Sequence, residues 1–160
     1  MKRMPMFFTV VILFLSAAGP LLAQNSAVLG TWKLDVAKSK YVGAEVPKSE
    51  TRTVVAQGDG AKYTYAGVAA DGSPIAFSYA TNFDGKTSAI SGSGAPNGAD
   101  SLAVKRVDDN NYTATLKKDG KVVQTTKIVI SDDGKVTTIS GKGTNAQGQP
   151  TSTTAVFEKQ

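Results

Sequence analysis

The sequence predicts an all-β domain, an antiparallel meander of about ten strands that closes into a barrel. Three observations predict it. Short segments rich in threonine, valine and tyrosine are separated by glycine turns at nearly even spacing. Within these segments apolar and polar residues alternate, which is typical of strands with one buried face. No segment of the 160-residue chain after the N-terminal apolar run has the periodicity of a long helix.

The N-terminus has the pattern of a secretory signal. Lys2 and Arg3 precede an apolar run over residues 6–15, and small residues follow up to Ala23. The run is roughly ten residues long, well short of the ~20 that a membrane-spanning helix needs. We therefore predict a signal peptide at 1–23, cleaved after Ala23, with Ala18 as the alternative. The expected product is a single domain, 24–160, exported to the periplasm or the cell exterior with no stable membrane insertion.

Asp-Gly pairs mark the turns, because both residues tolerate the positive φ that tight hairpin turns require. The pairs begin at Asp59, Asp71, Asp84, Asp119 and Asp133. They divide the chain into predicted strands at 30–35, 50–57, 61–68, 74–82, 86–91, 101–107, 111–118, 121–131, 135–142 and 151–158.

Strand polarity is clearest where Ile75, Phe77 and Tyr79 alternate with small or polar neighbours. One face is expected to pack and the other to meet water. A chain of linked antiparallel strands leaves two exposed edges unless the sheet closes. Closure therefore favours a barrel over an open sandwich.

An internal repeat supports two related halves. The segment 67–74 recurs as 143–150, with glycine, alanine, glycine and proline at matching positions. Residues 51–83 and 126–157 then form two copies of one three-strand meander. Reuse of the same turn chemistry in similar hairpins is the alternative explanation.

Two segments are predicted as loops. Residues 35–49 lack strand character, with Asp35 placed to cap a single turn. Tyr41 within them either covers a barrel mouth or packs on the barrel end. The glycine-rich run 91–98 is interpreted as a flexible loop that joins the two halves.

Gly30 and Trp32 open the first strand, and Trp32 is the single tryptophan. Gly-x-Trp at the start of an all-β meander resembles the first-strand motif of lipocalins and other calycins. More closely, residues 30–40, the turn at 71–74 and the ending 155–159 resemble small exported lipocalin-like proteins of bacteria. The resemblance implies a lipocalin-like barrel closed at one end by the tryptophan. Lipocalins usually pair that tryptophan with a late arginine, for which Lys159 or Arg106 is the candidate here.

The composition excludes several kinds of chemistry. The chain has no histidine and no cysteine, so it lacks a histidine-based triad, a thiol nucleophile and an imidazole metal site. The turn aspartates are explained by their turns. The net charge of +5 falls to about +3 without Lys2 and Arg3, and the basic residues are scattered. We expect no catalytic residues, metal, cofactor or nucleic-acid partner.

Three functional hypotheses remain from different classes. The first is non-enzymatic binding of a small apolar or amphipathic ligand inside the barrel. The second is a protein-interaction module, such as an exported proteinase inhibitor or envelope assembly factor, which predicts a dry core. An enzyme is the third and needs an interior carboxylate or tyrosine. The candidate ligand-binding residues of the barrel interior are Tyr63, Tyr65, Phe77, Tyr79, Tyr112 and Phe157.

Overall fold

The structure, a computed structural model, describes residues 26–160. The predicted signal peptide at 1–23 lies outside the described residues. Within them, no helix is long and apolar enough to cross a membrane. Between residues 26 and 160 the helical content consists of two short 3-10 turns, Ser26–Val28 and Pro96–Gly98.

Twelve strands form the described part of the molecule. They are β1 Gly30–Leu34, β2 Lys40–Val42, β3 Ser49–Gln57, β4 Gly60–Val68, β5 Pro74–Thr81, β6 Asp84–Ala89, β7 Ser91–Ser93, β8 Ser101–Arg106, β9 Asn111–Lys118, β10 Lys121–Ile130, β11 Val136–Thr144 and β12 Pro150–Lys159.

The strands make one antiparallel sheet that curls into a nearly closed barrel. The hydrogen-bonded order is β6-β8-β9-β10-β11-β12-β1-β3-β4-β5-β7, and β2 pairs with β12 beyond the end of β1. The first and last long strands are therefore neighbours, with Trp32 opposite Lys159 and Leu34 opposite Phe157. This pairing covers the edges that the first and last strands would leave exposed in an open meander.

The circle is completed by residues 84–93, which we call the shared strand. Its first part, β6, pairs with β8, and its last three residues, β7, pair with β5 at Ala76–Ser78. Near the turn between β5 and β6 the two strands make no ladder, so the barrel has a narrow seam there. The prediction of a flexible loop over 91–98 is wrong for Ser91–Ser93, because β5 has an unpaired edge that accepts them.

Three other details differ from the sequence prediction. The turn before β4 lies at Gly58 and Asp59, with Gly58 at φ 56°, rather than at Asp59 and Gly60. The segment 35–49 contains a strand, β2, after the turn in which the Asp35 carboxylate accepts the Lys38 amide at 3.0 Å. The turn after β5 lies at Asn82 and Phe83, with Phe83 at φ 59°, rather than at Asp84 and Gly85. Those two residues instead lie at an irregularity in the β6–β8 pairing.

The repeated segments adopt the same turn. In the first, the Ala69 amide donates to the Ser73 carbonyl and the Gly72 amide to the Ala69 carbonyl. In the second, the Asn145 amide donates to the Gln149 carbonyl and the Gly148 amide to the Asn145 carbonyl. The matching sequence positions thus have matching geometry, which supports the interpretation of two related meanders.

One end of the barrel is solidly packed. Trp32 is fully buried there, and its indole nitrogen donates to the Val28 carbonyl at 3.0 Å. Phe83 packs in a tilted arrangement on Tyr112, with ring centroids 5.3 Å apart. The N-terminal 3-10 turn therefore closes this end, which we call the closed end.

Candidate functional site

A cavity of about 560 Å³ opens at the other end of the barrel. The loops that follow β2, β4, β7 and β11 surround its mouth, and inward side chains of the strands line its depth. Its volume lies within the range of about 300–1,000 Å³ that ligand pockets occupy. The barrel is thus hollow at the loop end and filled at the closed end.

An aromatic wall runs down one side of the cavity. Tyr65 and Phe77 face each other across β4 and β5, and their stacked rings have centroids 4.4 Å apart. Tyr79 follows one step deeper and stacks on Tyr63 at 4.9 Å. Burial raises the pKa of the Tyr65 and Tyr79 hydroxyls, which keeps these phenols neutral. The wall therefore offers ring faces and neutral hydrogen-bonding groups to a ligand.

The opposite side is mainly aliphatic. Leu102, Leu116, Ile128 and Ile139 project into the cavity from β8, β9, β10 and β11. Period-two alternation puts them on the inner face, where Leu102 pairs with Leu116 and Ile128 pairs with Ile139. An apolar chain in the cavity would lie between these side chains and the aromatic wall.

Polar groups gather near the mouth. The Asn97 side-chain amide donates to the Gln124 side-chain oxygen at 3.1 Å and to the Val123 carbonyl at 3.3 Å. These bonds fix the 3-10 turn at 96–98 across the rim. Tyr41 from β2 also lines the cavity, where burial raises its pKa to about 12. The rim is therefore an ordered structure tied to the strands.

Glu50 on β3 is the less exposed of the two carboxylates in the lining, the other being Glu45. It is half-buried, and burial raises its pKa from 4.5 to about 7, against an opposing effect of the Arg52 charge. Glu50, Arg52 and Val54 alternate on the same inward face of β3. The cavity lining thus contains a carboxyl group that titrates near neutral pH.

Arg52 lies below the cavity, in the packed part of the barrel. It is 3% exposed, and its guanidinium carbon lies 5.1 Å from the Trp32 ring centroid and 5.0 Å from that of Phe157. Lys159 reaches the same indole, with its ammonium 5.1 Å from the ring centroid. Cation–π contacts therefore hold the tryptophan.

The tryptophan's partners differ in part from the predicted ones. Lys159 contacts Trp32 as the resemblance implied, whereas Arg106 does not and instead forms an ion pair with Asp109 at 2.6 Å. Arg106 ends β8 beside the turn that carries Asp109, which explains that choice. A second cation on the indole is Arg52, at the same 5.1 Å from the ring centroid. The sequence pattern does not predict this contact, because an arginine in an alternating strand is normally assigned to the solvent-exposed face.

The structure divides the six interior residues predicted from sequence into two groups. Tyr65, Phe77, Tyr79 and Phe157 line the cavity. Tyr63 and Tyr112 are equally buried but lie toward the closed end, outside the lining. The reason is depth, because alternation specifies which face a residue occupies but not how far along the barrel axis the packing stops.

The described residues contain no group of three or more acidic, histidine or cysteine side chains placed to hold a metal ion. The turn aspartates bond locally instead. Asp71 and Asp133, for example, accept the backbone amides of Ser73 and Lys135 at 2.8 and 3.0 Å.

Comparison with known proteins supports the architecture. No protein-family model matches the chain, and no curated protein matches it. Among solved structures, it is similar to the crystal structure of zebrafish ileal bile acid-binding protein in complex with cholic acid. The TM-score is 0.51 at 15% sequence identity, covering 84% of this chain and 100% of the other. The chain therefore has a lipocalin-like, all-β barrel fold.

Proposed function

We propose that this lipocalin-like barrel binds a small apolar or amphipathic molecule and does not act as an enzyme. The observation that carries the proposal is the cavity of about 560 Å³, lined by an aromatic wall and aliphatic side chains, at one end of an otherwise packed barrel. The interaction-module hypothesis predicts a dry, filled core instead. The similar zebrafish protein was crystallised with cholic acid, which adds support from a related architecture.

Two variants with the same substitution test this proposal. Ala155 lines the cavity from β12, and Ala76 is exposed on the outer face of β5. Ala155→Phe places a ring inside the cavity, whereas Ala76→Phe adds the same ring outside it. Binding is followed by the fluorescence of the neutral apolar dye N-phenyl-1-naphthylamine.

We expect the wild-type protein to bind the dye and the Ala155→Phe variant to lose at least about ten-fold in affinity. The Ala76→Phe variant should remain within about two-fold of wild type. Far-UV circular dichroism checks that both variants fold. Failure of the wild-type protein to bind, or equal losses in the two variants, would overturn the proposal.

We also propose that the domain works outside the cytoplasm, on the strength of the signal-like pattern at 1–23. Fractionation of the producing cells, followed by N-terminal sequencing, tests this. A mature chain that starts after Ala23 or Ala18 in the exported fraction is the expected result. An intact N-terminus in the cytoplasmic fraction would contradict it.

A further inference from the structure

The charges of the cavity lining are all of one sign. Glu45 and Glu50 belong to the lining, and none of its described residues is a lysine or arginine. A half-buried carboxylate that makes no ion pair disfavours a second anion beside it. The lining therefore discriminates against the carboxylate head of a fatty or bile acid.

The positive charge of Arg52 does not cancel the negative charge of the lining. Phe157 lines the cavity while Arg52 does not, so the guanidinium lies behind the lining, against the Trp32 and Phe157 rings. The described ion pairs include none between Arg52 and Glu50, whose raised pKa shows that burial outweighs the arginine's charge. Arg52 thus serves the packed end of the barrel, and Glu50 faces the ligand space.

Two tyrosines that interact with Glu50 are uncharged, and the neighbouring Lys48 is turned away from it. Tyr41 and Tyr65 interact with it electrostatically, and the raised pKa of each keeps its phenol neutral. The Lys48 ammonium points toward the loop at 69–73, where it would lie 3.7 Å from a Cβ on Gly72. A positive group entering the cavity would therefore give Glu50 an ion pair, which it has with none of the described residues.

We infer that the cavity selects an amphiphile with a cationic, ammonium-type head, which contacts the Glu50 carboxylate and the Tyr65 ring while its apolar chain lies along the aromatic wall. This inference rests on the proposed binding function and specifies its ligand class. Ion pairing in a poorly hydrated site and the attraction of a cation to an aromatic face both favour this head group. A bound ammonium also stabilises the ionised form of Glu50.

Three ligands with the same twelve-carbon chain test the inference: dodecylammonium, dodecanol and dodecanoate. Calorimetric titrations are run at pH 8 and low salt, below micelle formation, on wild type, Glu50→Gln and Glu158→Gln. Glu158 lies outside the barrel in an ion pair with Lys38, so its variant makes the same charge change away from the cavity. Far-UV circular dichroism confirms folding.

For wild type and Glu158→Gln, we expect dodecylammonium to bind at least about ten-fold more tightly than dodecanoate. In Glu50→Gln the preference for dodecylammonium over dodecanoate should fall to within about two-fold, while dodecanol still binds. At pH 5.5, where Glu50 is largely protonated, dodecylammonium should lose its advantage over dodecanol in the wild-type protein.

Each other outcome has a definite meaning. Binding of dodecanol without a preference for the ammonium, or a preference that survives in Glu50→Gln, overturns the inference and leaves the proposed function intact. Loss of dodecanol binding in folded Glu50→Gln also overturns it, because Glu50 would then maintain the shape of the cavity rather than recognise the charge of the ligand. No binding of any of the three ligands overturns the proposed function itself.

Discussion

At the scale of single residues, Trp32 connects the N-terminal turn, the first strand and the last strand. It is fully buried, bonds to Val28, and has Arg52 and Lys159 against its ring. Trp32→Ala should lower the free energy of unfolding by about 3–5 kcal/mol, since a large void replaces the indole. Trp32→Phe keeps a ring and loses the bond to Val28, for a cost of about 1–3 kcal/mol.

Urea unfolding followed by far-UV circular dichroism measures both variants, because the tryptophan signal is lost with the mutation. A cost below about 1 kcal/mol for Trp32→Ala would contradict its role in closing the barrel.

Glu50 gives the protein a specific dependence of stability on pH. Its pKa is about 7 in the folded protein against 4.5 as the reference value. Between these pH values the folded state binds more protons than the unfolded chain, so this group's stabilising contribution is lost as pH rises. The Gln side chain of Glu50→Gln stays neutral at every pH. The stability of this variant relative to wild type should therefore rise across that window, by on the order of 1–3 kcal/mol in the free energy of unfolding at pH 8.

Urea titrations of both proteins at pH 4.5 and pH 8 test the prediction. Aspartates with lowered pKa, such as Asp71 and Asp133, lose their stabilising contribution in more acidic solution and do so equally in both proteins. A difference between variant and wild type that does not change with pH would contradict the assignment.

The sequence pattern could predict the apolar lining but not its charged members. Ile75, Phe77 and Tyr79 have small or polar neighbours, so alternation identifies their inward face. On β3, Glu50, Arg52 and Val54 face inward while Val55 is exposed, so the pattern there is ambiguous. The pairing of Arg52 with Tyr65 on β4 shows which residues of β3 face inward. This pairing depends on the register between the two strands, which the composition of β3 does not specify.

At the scale of elements, two glycines allow neighbouring strands to approach closely. Gly67 on β4 and Gly143 on β11 occupy matching positions of the repeat, and a Cβ on either would overlap a carbonyl oxygen of the preceding strand, at Ser49 or Val123. Gly67→Ala should therefore cost more than about 3 kcal/mol, because backbone must move. Gly58→Ala, in a turn with open space around it but φ of 56°, should cost about 1–2 kcal/mol.

Thermal unfolding of the two alanine variants and wild type measures this difference. Equal shifts in Tm would show that the β3–β4 spacing adjusts at little cost, contrary to the expectation.

Most strand boundaries could be predicted because turn chemistry punctuates long alternating runs. The exceptions are short elements. Lys40-Tyr41-Val42 is too brief to show alternation, and it becomes a strand because β12 extends past the end of β1 and offers a free edge. Ser91–Ser93 is similar, with glycine between two serines and pairing supplied by β5. In both cases tertiary pairing overrides local propensity.

At the scale of the whole molecule, the protection of backbone amides against hydrogen exchange should follow the extent of strand pairing around the barrel. Strands β9, β10 and β11 are each paired on both sides over most of their length. By contrast, every residue of β7 is exposed, and the strand pairs with β5 at only three positions. Amide hydrogen exchange followed by nuclear magnetic resonance should show the earliest exchange in β6 and β7 and the latest in β10. Exchange at Gly92 as slow as at Thr126 would contradict this ranking.

The adjacency of β1 and β12 also determines how the barrel responds to mechanical force. The strands run antiparallel, and the Gln160 amide still donates to the Thr31 carbonyl at 2.9 Å, so residues 30 and 160 lie at the same end of the pair. Tension applied between those two residues acts across the ladder and breaks its hydrogen bonds one after another, instead of shearing them together. A pulling experiment on this barrel should therefore open it at low force, with the Trp32–Lys159 contact among the first to separate.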